Sequence, residues 1–146
     1  MKNTIQNKSK LVNSVFSKVY KKYDLMNDIM SLGVHRVWKE KFIDWMNPQP
    51  KTKLIDVASG TGDIAKLSSD KTKKLAQITC VEPNAQMLNQ GKRKLKEYDN
   101  IKWINAPAEK IPTKDNTFDY YSISYGIRNV SDINAVLKEA FRVLKP

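Results

Sequence analysis

"KLIDVASGTGDIAKL", Lys53 to Leu67, decides how this chain folds. A short apolar run reaches a pair of glycines, and a helical pattern follows. Apolar stretches of this length bounded by glycine read as buried strands, and longer periodic ones as helices. Gly60 and Gly62 let the backbone turn tightly between the two and approach a ligand closely.

The alternation repeats downstream. "QITCVE" (Gln77 to Glu82) reads as a second strand, and Pro83 and Asn84 open a helix predicted to run to about Tyr98, with Met87, Leu88, Gly91 and Leu95 inward. "IKWIN" (Ile101 to Asn105) and "FDYYSIS" (Phe118 to Ser124) read as third and fourth strands. Ser131 is the expected cap of a last helix with Ile133, Val136, Leu137, Ala140, Phe141 and Leu144 on one stripe. Alternation at this spacing implies an α/β chain with a parallel sheet of about four strands, joined by right-handed crossovers. Ligands of such sheets bind at the carboxyl ends of the strands.

Upstream the pattern is helical. Val12, Val15, Phe16, Val19 and Tyr20 recur at helical spacing, Leu25, Ile29 and Met30 continue the face, and Gly33 separates a further helix carrying Val37, Trp38, Phe42, Ile43 and Trp45. "NPQPK" (Asn47 to Lys51) ends the helical region. Two parts are expected: an N-terminal helical cap on the substrate side (1–50), and a ligand-binding α/β part (51–146).

The 146 residues suffice for one domain with a real core. Net charge is +11, from 26 Lys and Arg against 15 Asp and Glu. A polyanion partner is one reading of that excess. The clusters at 71–74 and 92–96 lack interleaved aromatics, so a solvated basic face is preferred and nucleic acid is not expected. With Cys80 and His35 the only residues of their kinds, neither an internal disulfide nor a Cys/His zinc site is expected. No apolar run approaches the roughly 18 residues of a membrane span. The segment before Asp24 contains Lys and Ser but no Arg, and reads as a short tail rather than a transit peptide.

Glu82 ends the second strand twenty residues after Gly62, where a carboxylate can accept both hydroxyls of a ribose. That spacing describes a nucleoside-type cofactor; a tight turn with no ligand is the plainer alternative. "GTGDIA" also satisfies a loose dinucleotide pattern. Charge separates the two cofactor classes. A pyrophosphate prefers a bare helix N-terminus, whereas Asp63 stands at that terminus and Asp56 lies in the strand before it. Two carboxylates suit the ammonium and sulfonium of S-adenosylmethionine. Asp56 has a second reading, a structural one in which it holds the loop amides. After the fourth strand come Ser124, Gly126, Arg128 and Asn129, small or polar residues at the strand end. Arg128 reads either as an oxyanion ligand in a pocket or as a partner in a surface salt bridge.

With these residues in hand, the chain resembles the ubiquinone/menaquinone biosynthesis C-methyltransferase family. "VFSKVYKKYDLMNDIMSLGVHRVWK" (Val15 to Lys39) resembles its N-terminal signature, "LIDVASGTGDIA" its cofactor loop, and "DNTFDYYSISYGIRNVSDINAVLKEAFRVLKP" (Asp115 to Pro146) its fourth-strand signature. The resemblance runs from about Val12 to the last residue. It implies a Rossmann-like class I methyltransferase fold preceded by N-terminal helices. It also implies methyl transfer from S-adenosylmethionine, without a metal, to a ring carbon of a polyprenyl benzoquinol or demethylmenaquinol. By position, Thr61 matches the family's loop contact, Glu82 its ribose carboxylate, Pro107 and Ala108 the pair beside the adenine, and Ser124 the contact after strand four. Arg128 and Asn129 match the polar pair next to the acceptor. Asp56, Gly60 and Gly62 complete the expected cofactor site. Arg128 is expected to stabilise a deprotonated ring hydroxyl, and water, Tyr23 or His35 to take the ring proton. A lipid acceptor implies a cytoplasmic protein working peripherally at the inner membrane face or with a quinone-biosynthesis complex.

Four positions depart from the family pattern: Ser59 for Gly, Glu82 for Asp, Pro107 for Asn or Asp, and Thr113 for an aromatic or apolar residue. Pro107 brings neither an N–H nor a polar side chain to an adenine. The family continues past Leu-Lys-Pro with further strands, so the C-terminal strands of the usual fold are expected to be absent here. The alternatives are therefore a truncated, non-catalytic remnant or pseudoenzyme that at most binds S-adenosylmethionine, a nucleic-acid module suggested by charge alone, and an NAD-dependent oxidoreductase.

Overall fold

A computed structural model describes residues 34–146. The helical readings upstream, from Val12 to Gly33, lie outside the described residues, as does Tyr23. The described elements are α1 (Val34–Met46), β1 (Lys53–Val57), α2 (Asp63–Lys71), β2 (Gln77–Val81), α3 (Ala85–Lys94), β3 (Ile101–Ile104), β4 (Tyr120–Ser122), a 3-10 turn (Tyr125–Asn129) and α4 (Ile133–Val143). The four strands form one parallel sheet in the order β3-β2-β1-β4.

Strand β1 sits second from one side and is buried on both faces, which its unbroken apolar run requires. Its side chains alternate between two cores. Ile55 and Val57 pack with Val81, Phe118, Val136 and Val143 on the α4 face. Leu54 packs with Ile78, Ala65, Leu95 and Ile101 on the α2/α3 face. Helix α1 lies against α2, tied by Lys71 to Asp44 at 2.7 Å.

Several boundaries move. Helix α3 ends at Lys94 rather than near Tyr98, because Leu95 leaves helical geometry while its N–H still donates to the Gly91 carbonyl. The buried set Met87, Leu88, Gly91 and Leu95 is as expected. Strand β4 covers only Tyr120–Ser122; Phe118 instead makes a parallel bridge to Leu144. The cap of α4 is Asp132, not Ser131. Asp132 Oδ1 accepts from the Ala135 N–H at 3.1 Å, while the Ser131 N–H is drawn to Glu109 Oε1 at 2.8 Å. Half of the predicted apolar stripe of α4 is outward: Ile133, Leu137 and Phe141 are 52%, 56% and 86% exposed, while Val136 and, outside the stripe, Val143 are fully buried. Helix α1 likewise buries Ile43 and exposes Val37, Trp38 and Trp45.

The long connection into β4 is held by Arg142, whose five guanidinium N–H groups all have acceptors: Glu139, Asp115, and the Ile111 and Thr113 carbonyls. Part of the basic surplus is also engaged internally. Lys71 pairs with Asp44, and Lys74 lies 4.5 Å above the Tyr98 ring. Among the described residues no helix is long and apolar enough to cross a membrane.

Candidate cofactor site

The connection from β1 to α2 leaves the sheet through backbone that side chains disfavour. Ala58, Gly60 and Gly62 have φ of 51°, 58° and 87°. Ser59 is not among the residues with positive φ, so its Ser-for-Gly exchange is tolerated as expected. A Cβ on Gly62 would lie 2.8 Å from both Leu95 Cδ1 and Trp103 Cη2, so that position has room only for hydrogen. The loop bridges the tips of β1 and β2: the Ser59 N–H donates to the Val81 carbonyl at 3.1 Å.

Glu82 fastens this loop. Its Oε2 accepts from the Gly60 N–H at 2.7 Å, and its Oε1 from the Asn84 N–H at 2.9 Å. The methylene that Glu has over Asp gives the carboxylate this reach. Burial raises the Glu82 carboxyl above the ordinary range, and the two N–H donors oppose that rise. Each carboxylate oxygen keeps a second lone pair for a ligand hydroxyl. The Asn105 amide holds the Glu82 and Pro83 carbonyls at 2.7 and 3.1 Å, which fixes the end of β2.

The two aspartates behave differently from each other. Asp56 is 2% exposed and does not touch the loop amides, which corrects its structural reading. Its Oδ1 accepts from the Ser122 hydroxyl at 2.7 Å, and its Oδ2 has no hydrogen-bond partner. Burial pushes the Asp56 carboxyl up to about 7; Ser122 pulls the other way. Asp63 is gripped by Lys39 of α1 and, at 2.6 Å, by Lys94 of α3. Burial would raise its carboxyl, yet the two ammonium groups hold it at about 2. Asp63 with two lysines is net positive, so the case for a cationic ligand rests on Asp56 and Glu82.

These groups open onto one cavity of about 590 Å³ at the carboxyl ends of the strands. Its wall includes Asp56, Gly60, Thr61 and Glu82 on the loop side, and Pro107, Ala108, Ser124, Arg128 and Asn129 opposite. Every nominated site residue lines it except Gly62, which caps α2 alongside. Pro107 contributes only ring and carbonyl, the latter accepting from the Lys110 N–H at 3.3 Å. Arg128 is exposed, makes no ion pair among the described residues, and lies 5.5 Å from the Tyr125 ring centroid. The surface salt bridge expected as its plainer role is thus not formed there. Val34, His35, Trp38 and Lys39 bring α1 to the same cavity. Lys39, Lys94 and Ser122 were not singled out from sequence. Lys39 stood inside the quoted N-terminal signature, but nothing in the sequence shows that it meets Asp63. No group of three or more His, Cys, Asp or Glu side chains that could hold a metal ion occurs among the described residues.

Known proteins agree with this architecture. The model of the ubiE/COQ5 methyltransferase family matches residues 3–146. A protein of Rickettsia bellii named ubiquinone/menaquinone biosynthesis C-methyltransferase UbiE is 52% identical over 145 residues, which cover 95% of this chain and 58% of that protein. This chain therefore spans a little over half the length of that relative. Among solved structures, a putative S-adenosyl-L-methionine-dependent methyltransferase from Methanococcus maripaludis superposes with a TM-score of 0.74 at 18% identity, over 88% of this chain and 58% of that one. An S-adenosylmethionine-dependent methyltransferase from Aquifex aeolicus gives 0.68 at 23% identity, over 74% of this chain and 58% of that one. At such identities the agreement shows the fold alone, a Rossmann-like class I methyltransferase fold.

Proposed function

The chain belongs to the ubiE/COQ5 methyltransferase family, and from that premise we propose that it binds S-adenosylmethionine and serves C-methylation of a polyprenyl benzoquinol or demethylmenaquinol. The observation that carries this reading is the cavity at the strand ends, which gathers the loop carboxylates on one side and Arg128 and Asn129 on the other. Family membership supports the acceptor class, and the donor fits the residues present. Asp56 Oδ2 is a buried carboxylate oxygen with no protein partner, which a cation would satisfy.

When bound, S-adenosylmethionine supplies an electrophilic methyl on a sulfonium. The residues of the chain do the positioning, which provides much of the acceleration of such a displacement. Glu82 receives the ribose hydroxyls while its tie to Gly60 fixes the loop. Thr61, Pro107, Ala108 and Ser124 frame the nucleoside, with Pro107 giving shape but no N–H. Arg128 stabilises the deprotonated ring hydroxyl that makes the neighbouring carbon nucleophilic, and Asn129 orients the acceptor. The ring proton lost on C-methylation would go to water or to His35, which lines the cavity.

Residues 51–146 then form the cofactor-binding part and 1–50 a cap on the substrate side, a division supported by the place of α1 on the cavity wall. A lipid acceptor and a net charge of +11 support peripheral contact with anionic headgroups. Calorimetric titration with S-adenosylmethionine tests the cofactor role. Complementation of a strain lacking quinone C-methylation tests the reaction. Donor binding without complementation by soluble, folded protein favours the remnant or pseudoenzyme.

A further inference from the structure

Asp56 and Ser122 are direct partners across the β1–β4 ladder, and they are 2% and 1% exposed. The Ser122 hydroxyl has one proton to give. Asp56 Oδ1 lies 2.7 Å from it and the Ile55 carbonyl 3.5 Å, so the carboxylate is the better acceptor. This bond fixes one oxygen of Asp56 and leaves the other, Oδ2, without a partner on a residue that lines the cavity.

We propose that Ser122 is a positioning residue for the methyl donor: it holds Oδ1 so that Oδ2 stays a carboxylate oxygen available to the donor's cationic end. The inference rests on reading the cavity as a S-adenosylmethionine site, and it gives Ser122 a task in that site. A hydroxyl donor favours the ionised acid over the neutral one. The neighbours mostly work against ionisation: Glu82 at the end of β2, Asp63 at the start of α2, and burial itself. Lys39 of α1 acts in the same direction as Ser122, but less strongly. Burial raises the Cys80 thiol of β2 and the Tyr121 hydroxyl of β4, the tyrosine to about 12, and the Asp56 charge adds to both rises. His35, Glu109 and Arg128 are the other ionisable residues lining the same cavity, and none of them contributes to the Asp56 shift. Among these groups Ser122 is the strongest force keeping Asp56 charged, against burial that lifts it to about 7.

The test is calorimetric titration of the full chain with S-adenosylmethionine between about pH 5.5 and 8.5, on the unmodified protein, Ser122→Ala and Ser122→Thr. In the unmodified protein affinity is expected to rise with pH through a midpoint near the Asp56 value. In Ser122→Ala that midpoint is expected to move up by about one unit, which weakens binding about tenfold on the acid side. Ser122→Thr, which keeps the hydroxyl, is expected to restore both. The donor's own ammonium titrates identically in all three. Ser122→Cys, of similar size and a weaker donor, serves if the alanine variant does not fold, and its midpoint is expected to rise in the same way. An alanine or cysteine midpoint equal to the native one, or a threonine variant that fails to restore it, overturns the role of Ser122 while the cofactor reading stands. No binding to the unmodified chain overturns both.

Discussion

The two sides of the cavity are built differently. The loop side is fixed by ties among backbone and carboxylates: buried Glu82 ties Gly60 to Asn84, buried Ser122 ties Asp56, and two lysines tie the partly exposed Asp63. On the opposite side, beside Pro107 and Ala108, lies a 3-10 turn with no buried residue and no side-chain cap, and Arg128 on it is exposed. A small cationic donor of fixed shape is best met by preorganised dipoles. The long lipid acceptor proposed above would need an entrance, and a turn with few internal ties would supply one. On this comparison, substitutions on the loop side change stability and donor affinity, and those on the turn change turnover.

The largest effect is expected at Gly91, where a Cβ would lie 2.2 Å from Trp103 Cη2 beneath the loop. Gly91→Ala should lower unfolding stability by about 2 kcal/mol in a urea titration, overpacking outweighing the gain in helix propensity. A neutral result would show that Trp103 yields and the loop side is less rigid than its contacts imply.

Next comes Asp56→Asn. A native carboxyl near 7, above its unfolded value near 4, loses stability as pH rises between those values and is flat above. The asparagine variant should therefore be more stable than the native chain at pH 8, and should bind S-adenosylmethionine at least tenfold more weakly. Thermal melts and calorimetry at that pH read both. A variant less stable at pH 8 would mean that Asp56 is a structural residue.

A smaller effect is expected for Lys94→Ala. Asp63, held at about 2, adds stability that is present above the ordinary carboxylate value and is lost as pH falls from about 4 towards 2. Both partners of the pair are about a third exposed, so the loss at neutral pH should stay below about 1 kcal/mol and shrink with added salt. Smallest of all, Arg128→Ala should change unfolding stability by no more than about 0.5 kcal/mol and leave donor affinity unchanged. Its methylation rate with a quinol acceptor should nonetheless fall. Full rate with normal donor binding would remove Arg128 from the acceptor side.

Where sequence reading succeeded, the information was local. The β1 run, the turn at Gly60 and Gly62, and Glu82 at the next strand end each follow from neighbours within a few residues, and the fold came with them. Where it failed, the deciding partner was distant or the local choice was balanced. Ser131 and Asp132 are equally good caps by residue type; the helix starts at Ile133, so Asp132 directly before it takes the role, while Glu109, more than twenty positions upstream, accepts from both of their N–H groups. The net charge around Asp63 is not legible locally, because its counter-ions come from α1 and α3. Nothing local marks Ser122, because only the β1–β4 register sets it beside Asp56. The exposed apolar residues of α4 show the same limit: periodicity finds a stripe but not whether the described fold covers it.

The two sides touch where Gly126 approaches Ala58, leaving a would-be Cβ only 2.3 Å from the Ala58 methyl. That junction has space for one methyl group, and the chain places it on the cofactor loop, on a residue with φ of 51° that would prefer glycine. Exchanging the pair, as in Ala58→Gly with Gly126→Ala, would conserve volume and relieve backbone strain. It would also move conformational freedom from the turn on the proposed acceptor side to the loop on the proposed cofactor side. Stability and turnover would then separate, with the sturdier protein expected to be the poorer catalyst.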